Sequence, residues 1–292
     1  MKTPVPVTNP PDVVLAGAGV MSATLAVMLK ELDPTLNIEL YEVLGSPAQE
    51  SSNAWNNAGT GHAALCELNY TPERHDGSID ISKALQVNTE FDVSRQFWAH
   101  LVKKGAIKDP QSFIHPVPHM SFVRGSENRA FLKKRFEALS ANPLYYGMEY
   151  SEDSKQIEEW IPLVMDGRDP NEEVTATRMV TGTDVDYGAL TNELLDSLRG
   201  TPGFSMHFLH RVEDLRRDGG LWNVRIREEQ TGRHWDVQTK FVFIRAGAAA
   251  ELLYGDGAPA TYHAKVPTVS VRSDPHLRLF NTERLHGSAR GL

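Results

Sequence analysis

The sequence predicts an α/β protein built on a Rossmann-like nucleotide-binding domain. The prediction comes from a short apolar strand over residues 12–16, a glycine-bearing turn over residues 17–22, and an apolar helical run over residues 23–29. A strand, a tight turn and a helix in this order open a dinucleotide-binding βαβ unit. A second strand, Ile38–Tyr41, follows and ends at an acid, Glu42.

Each position of the turn has a physical reason. Gly17 lacks a Cβ and permits the sharp exit from the strand. Gly19 lets the backbone approach a pyrophosphate closely, and the positive end of the helix dipole stabilises the phosphate charge. The third position, Ser22, is larger than the usual glycine or alanine, which is a mild departure from the motif. The turn therefore predicts a phosphate site, with Gly17, Gly19 and Ser22 as binding residues.

Glu42 stands where such a unit carries its acid, at the end of the second strand. A carboxylate there accepts hydrogen bonds from an adenosine ribose and disfavours a 2′-phosphate, which argues against NADP. The alternative is a solvated glutamate after an ordinary strand–turn–helix. Because strand, turn, helix, second strand and acid all occur in order, the nucleotide interpretation is favoured.

Composition sets the broad class. The chain has 292 residues, 40% of them hydrophobic and 23% charged, which is typical of a soluble globular protein. A net charge of −8 disfavours a nucleic-acid partner. The single cysteine, Cys66, excludes an intrachain disulfide and a cysteine metal cluster, so no metal is expected. No apolar run reaches membrane-spanning length and the N-terminus does not resemble a signal peptide, so a cytoplasmic location is expected.

A polar segment over residues 51–62 has neither helical nor strand periodicity. Its small residues suit a loop that lies against a ligand, although an ordinary surface loop has the same composition. Because the segment follows a nucleotide-binding unit, the interpretation as a ligand-contacting loop is favoured. The candidate cofactor-binding residues of this loop are Asn57, Gly59, Thr60, Gly61 and His62.

Four segments resemble the malate:quinone oxidoreductase family. They are residues 17–25, 51–68, 115–123 and 182–188, and the similarity runs almost without gaps from residue 12 to residue 244. The resemblance implies an FAD enzyme, a malate dehydrogenase (quinone), that oxidises (S)-malate to oxaloacetate in the tricarboxylic acid cycle. It implies electron transfer to membrane quinone and a peripheral position at the inner face of the cytoplasmic membrane. No amphipathic anchor stands out in the sequence, and the oligomeric state is left open.

The resemblance also implies a fold. An FAD-binding Rossmann-like domain is interleaved with an α+β substrate domain, as in the D-amino acid oxidase and glutathione reductase-like superfamily. On this basis residues 12–75 and 186–257 are expected to form the FAD domain, and residues 76–185 the substrate domain. Residues 1–11 and 258–292 are expected to be disordered or loosely packed.

Further elements follow from periodicity. The predicted helices cover residues 78–104, 127–139 and 189–198. The predicted strands cover residues 120–124, 204–210, 222–227, 233–240 and 241–244, the last of them buried. Asp186 before the third helix has two interpretations that stay equal: a helix-start acid, or the acid that returns the chain to the FAD domain in this superfamily.

The implied reaction calls for two kinds of side chain. Malate is a dianion, and Arg124 and Arg178 are candidates to bind its carboxylates, since arginine can do so bidentately. The C2 hydroxyl must lose a proton, and His62, His115 and His119 are candidate bases. A structural hydrogen bond for each histidine and a solvated position for each arginine are the alternatives.

Two departures from the family matter. The turn over residues 245–249 carries Arg245 where the family has glycine, with Gly247 as its candidate cofactor-binding residue. Family members also continue well beyond the length of this chain, so the C-terminal half is expected to be incomplete. An inactive remnant of the enzyme, and another FAD-dependent 2-hydroxy acid dehydrogenase, for instance one acting on 2-hydroxyglutarate, are therefore alternative functions.

Overall fold

The computed structural model describes residues 10–244. Within that range the chain forms two compact units that alternate along the sequence. The first unit comprises residues 10–59, 101–113 and 186–244, and the second comprises residues 60–100 and 114–185. Compactness does not test which unit binds cofactor or substrate, so the predicted domain roles stay a prediction. The expectations for residues 1–9 and 245–292, Gly247 among them, lie outside the described residues.

The elements are numbered along the chain. The helices are α1 (Val20–Leu32), α2 (Ser82–Lys103), α3 (Ser126–Ser140), α4 (Ser154–Trp160), α5 (Pro162–Met165) and α6 (Tyr187–Leu198). The strands are β1 (Val13–Ala16), β2 (Ile38–Glu42), β3 (Ile114–Pro116), β4 (His119–Arg124), β5 (Glu149–Ser151), β6 (Val174–Met179), β7 (Thr183–Val185), β8 (Phe204–Phe208), β9 (His210–Asp218), β10 (Leu221–Glu228), β11 (His234–Thr239) and β12 (Phe241–Ile244).

The first unit is built on a four-stranded parallel sheet in the order β12–β1–β2–β8. All four residues of β1 are buried, as expected for a central parallel strand covered on both faces. Val13 pairs with Ile38 on one side and with Phe241 on the other. Helices α1 and α6 pack together in this unit. The strand, turn, helix and second strand predicted from residues 12–42 are confirmed.

An antiparallel meander of β9, β10 and β11 also belongs to the first unit. Its residues Val212, Val224, Ile226 and Val237 share one apolar cluster with Val14, Ala16 and Tyr41 of the parallel sheet. This contact buries one face of each sheet, which is the main source of stability for a two-layer arrangement.

The predicted strand over residues 204–210 is wrong in one respect. The structure divides it into β8, which pairs in parallel with β2, and the start of β9. Leu209 separates the two with a left-handed φ of 60°. Strand β12 has the predicted position, but Phe241 is 49% exposed rather than buried.

The second unit contains a sheet in the order β4–β6–β5 and a two-stranded sheet, β3–β7, all antiparallel. Ile157 of α4 packs with Phe122 and Ala176 on one face of the larger sheet. Helix α3 lies on the other face, where Arg129 Nε donates to Thr175 Oγ1 at 3.1 Å. Successive residues of a strand point to opposite faces, so each strand of this sheet places side chains both against α4 and against α3.

Side chains hydrogen-bond to the backbone at several of the helix starts. The predicted helix from residue 78 begins instead at Ser82, directly after an Asx turn in which Asp80 Oδ1 accepts hydrogen bonds from the Ser82 N–H and hydroxyl. Asp186 caps α6 by accepting from the Ala189 N–H at 2.9 Å. The interpretation of Asp186 as a helix-start acid is thus confirmed, and the first unit also resumes at this residue.

Candidate functional site

The glycine turn of the first unit has the geometry that the motif requires. Gly17 takes a φ of +98°, which favours glycine, and its N–H donates to Tyr41 O at 2.8 Å. Gly19 caps α1 without a side-chain hydrogen bond. The N-cap residue therefore adds no side chain at the position where a phosphate would approach.

Ser52 completes this helix start from a distant loop. Its Oγ accepts the Val20 N–H at 3.0 Å, and a Cβ added at Gly19 would lie only 3.2 Å from the same oxygen. Ser52 is buried. Because Oγ accepts from the helix, its own O–H remains available as a donor at the turn. The sequence carries no motif that identifies Ser52, since only the fold brings it to the turn.

Glu42 is fixed beside the same turn. Its Oε2 accepts the Ala18 N–H at 2.7 Å, and its Oε1 accepts the Leu44 N–H at 2.8 Å. The carboxylate lies at the carboxyl end of β2, next to the end of β1. In open parallel sheets, ligands bind outside these carboxyl ends.

Ser22 points into the interior. It is fully buried, and its Oγ has no hydrogen-bond partner among residues 10–244. The structure therefore brings Gly17, Gly19 and Glu42 together at the turn, and places the Ser22 hydroxyl in the packing beneath the helix.

The loop before the second unit is shaped by Asn57. Its Nδ2 donates to the Ser51 and Asn53 carbonyls at 3.0 and 2.8 Å, and its Oδ1 accepts the Gly59 N–H at 2.9 Å. Gly59 has a φ of +64°. Asn57 thus holds the loop closed, and its contact with a cofactor stays a prediction.

Thr60 and Gly61 anchor the next segment inside the second unit. Thr60 forms a β-bridge with Asp184, and the Gly61 N–H donates to Thr183 O at 2.9 Å. A Cβ at Gly61 would lie 2.1 Å from Thr183 Oγ1. Gly61 is therefore required by close packing against β7.

His62 faces a buried carboxylate. Its Nδ1 lies 3.5 Å from Glu67 Oε1, with the His62 side chain 52% exposed and the Glu67 side chain 15% exposed. Burial alone would raise the pKa of Glu67, but the adjacent His62 ring, the Glu67 backbone N–H and the nearby His119 together lower the pKa below its usual value. Glu67 is consequently a carboxylate at neutral pH.

The other two candidate histidines differ in their surroundings. His119 is buried, with Nε2 2.9 Å from Thr183 O and Nδ1 without a partner among the described residues. His115 lies exposed on β3, opposite Asp184. His62 is partly exposed, and its Nδ1 lies 3.5 Å from a carboxylate oxygen of Glu67.

The candidate arginines lie on one face of the second unit's larger sheet. Arg178 is 3.7 Å from Glu149 and 5.7 Å from the Trp160 ring, and Arg124 is 3.5 Å from Glu172. Strand register pairs Arg178 with Met120, the residue after His119. Because alternate residues face opposite sides, the structure brings the two arginines to one face and His119 to the other.

Arg135 is a fully buried cation that was not predicted. Its Nε donates to Thr71 Oγ1 at 3.0 Å and its Nη2 donates to Leu65 O at 3.2 Å. Burial lowers the pKa of Arg135 to about 10. Its place on the apolar stripe of α3, with Phe131 and Leu139, is the signal that could have identified it.

Residues 10–244 contain no group of three or more histidine, cysteine, aspartate or glutamate side chains arranged to hold a metal ion. None of the helices in this range is both long and apolar enough to cross a membrane.

Comparison with known proteins identifies the family. Residues 9–264 match the family model described as malate:quinone oxidoreductase. The chain belongs to the malate:quinone oxidoreductase family. It is 55% identical over 284 residues to a probable malate:quinone oxidoreductase of Bradyrhizobium diazoefficiens, covering 95% of this chain and 56% of that protein. It is also 58% identical over 250 residues to a probable malate:quinone oxidoreductase of Bordetella avium, covering 85% of this chain and 50% of that protein.

The curated relatives are longer than this chain, and solved structures share its fold. This member of the malate:quinone oxidoreductase family spans about half the length of the curated relatives it matches. Glycine oxidase from Geobacillus kaustophilus superposes with a TM-score of 0.62 at 16% identity, over 84% of this chain and 58% of that one. An FAD-bound L-α-glycerophosphate oxidase from Mycoplasma pneumoniae superposes with a TM-score of 0.55 at 16% identity, over 80% of this chain and 53% of that one. The predicted oxidase-type fold is confirmed.

Proposed function

We propose that this chain carries the FAD-binding portion and part of the substrate-binding portion of an enzyme that oxidises (S)-malate to oxaloacetate and delivers the electrons to quinone. Family membership over residues 9–264 is the observation that carries the proposal. Because the chain spans about half of its relatives, turnover by the chain alone is part of what the test decides.

The first unit suits FAD. A pyrophosphate would be held by the Gly17–Ser22 turn, with backbone N–H groups at the α1 N-terminus and the Ser52 hydroxyl as donors. Glu42 has lone pairs left for a ribose hydroxyl after accepting from two backbone N–H groups. When bound, FAD supplies a hydride acceptor.

The second unit suits an anionic 2-hydroxy acid. Arg124 and Arg178 are the proposed carboxylate contacts, and each lies within ion-pair distance of a glutamate, at 3.5 and 3.7 Å, which a substrate carboxylate would have to displace. Because both arginines face the side of the sheet opposite His119, one substrate molecule could not contact them and His119 together. His62, His115 and His119 are the proposed proton acceptors for the C2 hydroxyl. Asn57, Gly59, Thr60 and Gly61 are proposed to shape the loop that adjoins the cofactor.

We also propose, from family membership, that the enzyme reduces quinone, associates peripherally with the membrane and lies in the cytoplasm. A vesicle flotation assay of the 292-residue chain with anionic lipid tests the membrane contact. Binding that persists in high salt would indicate apolar insertion, and absence of binding would contradict the peripheral position.

FAD binding by titration tests the cofactor assignment. A Gly19→Val variant places a side chain against Ser52 and at the phosphate position, so we expect FAD affinity to fall by about 10²-fold or more. Met28→Val introduces the same side chain on the exposed side of α1 and serves as the matched control. Equal affinities for the two variants would contradict the assignment.

A further inference from the structure

The segment from Gly61 to Glu67 folds back on itself. Ala63 N–H donates to Gly61 O at 2.7 Å, and buried Ala64 adopts a left-handed φ of 53°. A non-glycine residue in this region costs about 1 kcal/mol or more, so the surrounding structure must hold it there. The reversal brings the Glu67 carboxylate against the His62 imidazole, five residues earlier.

The backbone that carries Glu67 is held from two elements. The Ser121 hydroxyl of β4 donates to Cys66 O at 2.8 Å. The Arg135 guanidinium of α3 donates to Leu65 O at 3.2 Å. A side chain whose backbone is fixed in this way keeps its position while its partner moves, which is the arrangement that orients functional groups.

One oxygen of this carboxylate lacks a donor. Glu67 Oε2 accepts the Cys66 N–H at 3.3 Å, whereas Oε1 is buried without a hydrogen bond among the described residues. An unpaired buried carboxylate oxygen is costly. His62 Nδ1, 3.5 Å away, is slightly beyond ordinary hydrogen-bond distance and is the nitrogen that faces this oxygen.

The charges around the pair favour this contact. Buried His119 also lowers the pKa of the Glu67 carboxyl. Among the described residues, the other titratable groups that interact with this carboxylate are Arg135, Cys66, Tyr70 and Tyr145. The Arg135 guanidinium lies against the Glu67 backbone carbonyl. Glu67 is therefore negative at neutral pH and selects an N–H, not a lone pair, on the facing nitrogen of His62.

We propose that Glu67 is a positioning residue that holds His62 in the Nδ1–H tautomer, so that Nε2 carries the lone pair and accepts a proton from the hydroxyl of a 2-hydroxy acid. The inference rests on the proposed function and selects His62 among the three candidates. A bound flavin would supply the acceptor for the hydride from C2. His62 Nε2 would take the hydroxyl proton as the C2–O bond becomes a carbonyl.

Nitrogen NMR of the full 292-residue chain, labelled with ¹⁵N-histidine, tests the tautomer directly. His62 signals are assigned by their loss in a His62→Gln variant. At pH 8 we expect the Nδ1–H form in the wild type and a shift toward the Nε2–H form in Glu67→Leu, which removes the acceptor. Glu149→Leu, which removes the carboxylate facing Arg178 in the same unit, is the matched control and should leave the spectrum of His62 unchanged.

The possible results separate the two proposals. An Nε2–H tautomer in the wild type overturns the positioning role, whether or not Glu67→Leu folds, and so does an unchanged tautomer in folded Glu67→Leu. If the tautomer is as expected, malate-dependent reduction in the FAD-loaded chain should fall about 10²-fold in Glu67→Leu. The expected tautomer without any malate-dependent reduction in the wild type supports positioning and contradicts the proposed function.

Discussion

Among the glycines of residues 10–244 whose neighbouring atoms the structure describes, Gly61 is the one where an added methyl group would come closest to another atom. A Cβ there would lie 2.1 Å from Thr183 Oγ1, 2.8 Å from Thr183 O and 2.8 Å from Phe91 Cζ. Carbon atoms in good packing are about 3.5–4.0 Å apart, so the Thr183 side chain must move by more than about 1 Å and its backbone by about 0.7 Å. We expect Gly61→Ala to lower the free energy of unfolding by about 3 kcal/mol, the upper range for overpacking.

Urea denaturation followed by tryptophan fluorescence measures this change, and Trp98, 6.1 Å from the Phe91 ring, reports from the affected region. Gly105→Ala is the control, because Gly105 has a φ of +76°, closes the end of α2 with the hydrogen bonds of a Schellman motif and has no neighbouring atom within 4 Å of an added Cβ. Backbone strain alone should cost that variant about 1–2 kcal/mol. A Gly61→Ala variant no less stable than wild type would refute the packing argument.

A double variant shows how much of the stability lost in Gly61→Ala is due to the Thr183 side chain. Thr183→Ala removes the nearest atom, a hydroxyl that is buried without a partner among the described residues. In the Gly61→Ala background it should restore part of the lost stability, since the contact with Thr183 O remains. Strict additivity of the two substitutions would show that they do not interact.

Three further predictions concern other buried or capping groups. Arg135→Met should lower the free energy of unfolding by about 2–4 kcal/mol in urea denaturation, because Thr71 Oγ1 and a backbone carbonyl lose their donor; a loss below 1 kcal/mol would contradict this. Ser22→Ala should raise the thermal midpoint or leave it unchanged, because the hydroxyl removed is buried without a partner, and a clear decrease would reveal an unseen hydrogen bond. The pKa of Asp80 is about 2, chiefly because Ser82 donates to it, and carboxyl NMR of Ser82→Ala should show it raised. Because the folded pKa of Asp80 is depressed, its contribution to stability is present above about pH 4 and is lost as the pH falls toward 2, with a smaller loss in Ser82→Ala.

The nucleotide turn was predictable because its determinants are local. The glycines at 17 and 19 and the acid at 42 occupy positions fixed by one βαβ unit, and the structure reproduces that unit. Ser52 was not predictable in the same way. It reaches the turn through a loop whose course depends on Asn57 and its hydrogen bonds, and no spacing rule encodes that path.

Strand partners were harder to predict than strands. Alternation over residues 204–210 is equally compatible with a parallel edge strand and with a meander strand, and the left-handed Leu209 that divides the two gives no compositional signal. The opposite faces of His119 and Arg178 follow only from the register of β4 against β6. Glu67 lies close to His62 in sequence, but the left-handed turn at Ala64 that joins them is not expected of alanine.

The absorbance spectrum of the FAD-reconstituted chain, recorded anaerobically before and after addition of (S)-malate, tests the central claim most directly. The account predicts flavin bands that bleach with (S)-malate and persist with its mirror image. Flavin bands that persist with both would contradict malate oxidation by this chain. Absence of flavin bands after incubation with FAD would contradict the cofactor site at Gly17–Ser22 itself.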